Sequence, residues 1–94
     1  MNMYLAILMP EDSDDGWSAH IPDFPSCSAA CRTADLAKMH VAKEAAILIG
    51  EMRKSGNRPP LPRPLEDIRF DYDWARDRKL DWSRAVVTMV EVRA

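Results

Sequence analysis

Met3-Tyr4-Leu5-Ala6-Ile7-Leu8-Met9-Pro10-Glu11-Asp12-Ser13-Asp14-Asp15-Gly16-Trp17-Ser18-Ala19-His20-Ile21 is the stretch whose reading decides the fold. Met3 to Met9 is continuously apolar, which suits a strand covered on both faces. Pro10 ends it. Glu11 to Asp15 is acidic and closed by Gly16, the pattern of a hairpin connection. Beyond the glycine the residues alternate: Trp17, Ala19 and Ile21 share one face of a second strand, Ser18 and His20 the other, polar one.

Working outward, Pro22-Asp23-Phe24-Pro25 breaks that strand, because two prolines fix φ and remove two backbone donors. Ser26 to Ala30 is small and reads as a third strand. At Thr33, a good N-cap residue, the period changes. Ala34, Ala37, Val41, Ala45, Leu48 and Met52 recur at spacings of three and four, and Ala42, Ala46 and Ile49 widen the stripe. This predicts an amphipathic helix over Thr33–Ser55 with a broad buried face. Asp35 in its first turn and Arg53 and Lys54 in its last favour the helix dipole. Gly56 is placed to end it, and Pro59-Pro60 follow as a stop.

Asn57 to Pro64 reads as a proline-rich loop. Leu65 to Lys79 predicts one or two short helical turns, with Leu65, Ile68, Tyr72 and Ala75 in register and Phe70 and Trp74 off that stripe. Ala85 to Val92 is β-branched and predicts a closing strand. The order β-β-β-α-(short α)-β gives an α+β fold. An antiparallel three-stranded meander and a closing strand form one layer, and one long helix covers a face of it.

The chain has 94 residues, enough for a single domain over 1–94. Its net charge of −2, with 30% charged and 47% hydrophobic residues, argues against a general nucleic-acid binder. Met1 to Met9 lacks a basic leader and a cleavage site, and no apolar run approaches the ~20 residues of a membrane span. A cytoplasmic protein with reduced thiols is therefore expected, with no membrane partner.

Asp15-Gly16-Trp17-Ser18-Ala19-His20-Ile21-Pro22-Asp23-Phe24-Pro25-Ser26-Cys27 resembles the signature of HicB-like antitoxins: a glycine turn, an aromatic strand start, then P-[DE]-hydrophobic-P-G-C, with Ser26 in place of the glycine. Tyr4 and Ala6 are similar to the family's Y-x-A first strand. Thr33 and Ala37 match its T-x-x-E-A helix start, with Leu36 where glutamate is usual and the capping-box acid thereby lost. Ala42-Lys43-Glu44-Ala45, Gly56, Pro62-Arg63-Pro64 and Asp81-Trp82-Ser83-Arg84-Ala85 complete the ordered set. The resemblance covers nearly the whole chain. It implies a partial RNase H-like β-β-β-α-β sandwich and binding to a small basic HicA-type toxin that cleaves RNA. Many members add a C-terminal DNA-binding domain. Here the sequence reaches Ala94 without one, so direct nucleic-acid binding is not expected.

Other chemistries fare worse. Glu11, Asp12, Asp14, Asp15 and Asp23 invite a two-metal nuclease reading, which needs carboxylates converging from separate elements. Four of these five lie in one turn, where solvated charge is the ordinary reading. His20, His40, Cys27 and Cys31 lack zinc-ligand spacing, and the cysteines, about 13 Å apart if extended, are too distant for a disulfide. No catalytic residue, metal or cofactor is expected. Arg69, Arg76, Arg78, Lys79 and Arg84 lie among Phe70, Tyr72, Trp74 and Trp82. The interleaved Glu66, Asp67, Asp71, Asp73, Asp77 and Asp81 cancel their charge, which argues against a single-strand platform.

The expected function is that of an antitoxin occluding the toxin, with an orphan HicB-like binding domain as the alternative. An acidic rim would steer a basic partner. The partner-facing residues expected are Glu11, Asp12, Asp14, Asp15, Trp17, His20, Asp23 and Phe24. A small sheet has edges to cover, so a homo-oligomer, dimer or tetramer, is expected. Its contacts are expected at Trp74, Trp82, Val86, Thr88 and Val90.

Overall fold

A computed structural model describes residues 2–11 and 16–93. Strands β1 (Asn2–Pro10), β2 (Trp17–His20) and β3 (Ser28–Cys31) are followed by the helix α1 (Ala34–Lys54). Two short helices, α2 (Leu65–Arg69) and α3 (Tyr72–Asp77), precede strand β4 (Val86–Val92). The sheet has the order β3-β2-β1-β4 and every neighbouring pair is antiparallel. The expected α+β class, meander, long helix and closing strand are all present.

Register divides the strands between two faces. Tyr4, Ala6 and Leu8 of β1, Ala19 of β2 and Val90 and Val92 of β4 lie under α1, which contributes Ala37, Val41, Ala45 and Ile49 to the same core. The stripe of alanines lets the helix lie close to the sheet. Thr33 caps α1, its hydroxyl oxygen accepting from the Leu36 amide at 3.1 Å. At the other end Gly56, at φ 78°, closes the helix as Asn57 N–H donates to Met52 O and Gly56 N–H to Arg53 O.

The second face is covered too. Ile7 packs with Ile68 and Trp74, joined by Leu5, Ala75, Leu80, Trp82 and Ala85. The continuous apolar run of β1 therefore reflects two cores. The architecture has a partial third layer where two layers were expected from the helix alone.

This third layer also explains the direction of β4. The Tyr4 hydroxyl donates to Pro60 O at 2.8 Å, so the chain leaves α1 near the start of β1. Residues 65–82 then cross the second face toward the other end of β1, where Val86 pairs with Leu8. β4 starts there and runs antiparallel to β1.

The third strand starts two residues later than expected and ends one later. Ile21 to Cys27 forms successive turns instead, with Phe24 N–H donating to Ile21 O and Cys27 N–H to Phe24 O. The Phe24 side chain turns inward against Tyr4, ring centroids 4.9 Å apart at 66°.

Helix α3 ends as α1 does, with Leu80 N–H donating to Ala75 O and Lys79 N–H to Arg76 O. The left-handed residue is Lys79, at φ 53°, where glycine costs less. Lys79→Gly is expected to raise stability by about 1 kcal/mol in urea unfolding.

Candidate functional site

The second face carries the chain's concentration of polar chemistry, at the ends of β1 and β2. Ser18 pairs with Met9 and His20 with Ile7, so Ser18, His20 and Met9 share that face. Arg78 and Lys79, at the end of α3, stand beside them. Pro10 and Glu11, entering the hairpin, complete a cleft of about 370 Å³. Gly16 closes the hairpin where space is tight: a Cβ there would lie 3.0 Å from Cys31 O.

His20 is the most constrained of these groups. Its ring meets Trp74 edge-on, centroids 6.3 Å apart at 82°. Its Nδ1 is buried and has no hydrogen-bond partner among the described residues. Burial holds its pKa below the ordinary value, helped by Arg78 and opposed by Glu11. The face expected to be polar is thus partly covered by α3.

A lowered histidine pKa means that the unfolded chain takes up a proton first as pH falls. Stability contributed by neutral His20 is present above pH ~6.5 and is lost as pH drops through that value toward the folded pKa. His20→Phe is expected to flatten this part of the curve in urea titrations across that range.

A second cluster fixes the turn after β2. The Asp23 side chain is 1% exposed and its Oδ1 accepts from Arg63 Nε at 2.7 Å. Its Oδ2 accepts from the Arg63 backbone N–H at 3.2 Å. Arg63 also donates from Nη2 to Pro22 O at 3.2 Å and from Nη1 to Asp71 Oδ2 at 3.4 Å. Asp71 in turn caps α3, its Oδ1 accepting from the Trp74 amide. One guanidinium joins the turn, the proline loop and α3.

The expected partner-facing residues therefore divide. Glu11 is exposed at the cleft rim. Asp12, Asp14 and Asp15 lie outside the described residues. Trp17 is half-buried against the α1-side core. Asp23 and Phe24 are corrected to interior positions, because Arg63 and Tyr4 engage them. Among the expected oligomer contacts, Trp74 and Val90 are buried within the chain, one under each layer. Trp82 is half-buried with the Arg69 guanidinium 5.4 Å from its ring centroid. Val86 is exposed and Thr88 half-buried.

Sequence reasoning missed Arg63, Arg78 and Lys79 as site-forming cations. Arg63 carried a signal, a cation fixed between two prolines. Arg78 and Lys79 carried little, since their importance comes from where α3 docks.

Among the described residues no group of three or more His, Cys, Asp or Glu side chains could hold a metal ion. No helix there is long and apolar enough to cross a membrane.

No protein-family model and no curated protein sequence matches the chain. Among solved structures it is similar to the N-terminal domain of the Burkholderia pseudomallei antitoxin HicB, with a TM-score of 0.74 and 15% identity. The likeness covers 98% of this chain and 99% of that one. The sheet, the long helix and the returning strand together have the fold of a HicB antitoxin N-terminal domain.

Proposed function

We propose that this chain is a HicB-like antitoxin that binds a small, basic HicA-type toxin in the cytoplasm and covers its RNA-cleaving surface. The observation that carries the reading is the end-to-end likeness to the HicB N-terminal domain. The ordered motifs from Tyr4 to Ala85 agree with it. Steric occlusion needs no catalytic residue and no cofactor from this chain. The acidic sequence from Glu11 to Asp15, of which Glu11 is exposed, supplies the charge that would steer a basic partner.

Co-expression with the small basic product of a neighbouring gene tests the reading. Relief of growth arrest and co-elution on size exclusion are expected. Failure of both would leave a HicB-like binding domain without a toxin partner.

Self-association belongs to the same reading. β4 is an edge strand, and Val86, Val87 and Met89 are exposed along it, beside Met3 of β1. Such an edge is a template for pairing with a second copy. The double variant Val86→Lys/Val87→Lys is expected to shift the oligomer to monomer on size exclusion with light scattering. An unchanged mass would place the contact elsewhere.

A further inference from the structure

We propose that the cleft between the β1–β2 hairpin and the end of α3 binds a phosphate group. The inference does not rest on the antitoxin reading, since it is argued from the cleft's own side chains.

Among the described lining residues, cations outnumber carboxylates, two to one. Arg78 and Lys79 supply two cations from consecutive residues, and neither has an ion-pair partner among the described residues. The left-handed conformation of Lys79 places a charged side chain at a backbone position where glycine is the cheap choice. Ser18 adds a hydroxyl held only by a long 3.5 Å bond to Met9 O, so it is free to turn toward a ligand. A neutral imidazole at His20 still has one N–H to donate. Phosphate oxygens accept from all four kinds of donor, and the guanidinium fork suits them best.

Charge balance narrows the ligand. Among the described lining residues, Arg78 and Lys79 against Glu11, with His20 neutral, leave one surplus positive charge. A singly charged phosphate matches it. A dianion would be matched by protonating His20. Among the described residues, the charged groups around that ring are Arg78 and Lys79 from the end of α3 and Glu11 from the hairpin; Trp74, also against it, is uncharged. The volume of about 370 Å³ exceeds what a bare phosphate fills and lies within the range of small-molecule sites. Met9 and Pro10 give the remainder an apolar side.

The test is an NMR titration of the whole chain with inorganic phosphate and, separately, with adenosine 5′-monophosphate. Saturable shifts at the amides of Ser18, His20, Arg78 and Lys79 are expected. Tighter binding of the nucleotide would assign the cleft to a phosphate ester, and tighter binding of the ion to free phosphate; either supports the site. Arg78→Ala is expected to weaken binding about tenfold, the loss of one charge-assisted hydrogen bond. Glu11→Gln is expected to tighten it, a gain that misfolding cannot produce. The imidazole of His20 should titrate at higher pH when phosphate is bound. Linear, unsaturable shifts with both probes would overturn the proposal. So would saturable binding that Arg78→Ala and Glu11→Gln both leave unchanged.

Discussion

Arg63→Ala is expected to cost about 3 kcal/mol of unfolding free energy, the low end for stripping one partner from a buried ion pair. The cost arises at Asp23, whose carboxylate has almost no access to water and would keep only the Arg63 backbone N–H as a donor. The lower end applies because Arg63 itself is 35% exposed, so water can partly replace it. Arg63→Lys keeps the charge but cannot reach Asp23, Pro22 O and Asp71 together, since a lysine lacks the planar fork. It should fall between wild type and Arg63→Ala. The double variant Asp23→Asn/Arg63→Met should lose less than Arg63→Ala alone, because no charge is then left buried. Urea unfolding of the four proteins measures this, and equal losses for the double and the single variant would refute the explanation.

Trp74→Ala is expected to cost about 3–5 kcal/mol, the range for emptying a buried aromatic site. Trp74 and Ile68 anchor α2 and α3 to Ile7, so the substitution loosens the whole layer on the second face. A distinct consequence follows at His20. Its burial depends on the Trp74 ring, so its pKa should rise toward the ordinary histidine value once the ring is gone. Imidazole resonances followed through a pH titration report this separately from stability. A loss below about 1 kcal/mol would mean that this layer stands outside the cooperative core.

The contrast between these two sites and α1 shows what a sequence carries. The helix was legible because its signals are local: the three-and-four spacing of Ala34, Ala37, Val41, Ala45, Leu48 and Met52, the Thr33 cap and the left-handed Gly56 all lie within one segment. The hairpin and closing strand were legible for similar reasons. Asp23 was misplaced because its partner lies 40 residues away, and nothing near Asp23 announces that partner. His20 looked solvent-facing by strand alternation, which assigns a side but not what lies over it. The short segment 65–77 decides that, and its apolar residues Ile68 and Trp74 do not share one helical stripe. Val90 was read as an oligomer contact because β4 is apolar at nearly every position. Pairing with Tyr4 puts it under α1, while Met89 faces outward. The third strand began late because the turns from Ile21 to Cys27 consume two small residues that sequence alone leaves extended.

The proposed phosphate cleft and the proposed toxin-facing surface adjoin one another, and Glu11 and His20 belong to both. Positive charge from Arg78 and Lys79 gathers on the second face, while the hairpin beside it is acidic in sequence. A basic partner would be steered to the hairpin and repelled from the cleft. Arg78→Ala, which lies outside the expected toxin-facing residues, separates the two: it should weaken phosphate binding and leave toxin binding unchanged.

The central claim is neutralisation of an RNA-cleaving toxin. Its most direct measurement is the RNase activity of the purified neighbouring small basic protein, titrated with this chain. The account predicts that cleavage falls stoichiometrically to background as the chain is added. Undiminished cleavage at excess chain, with the fold confirmed intact, would contradict it.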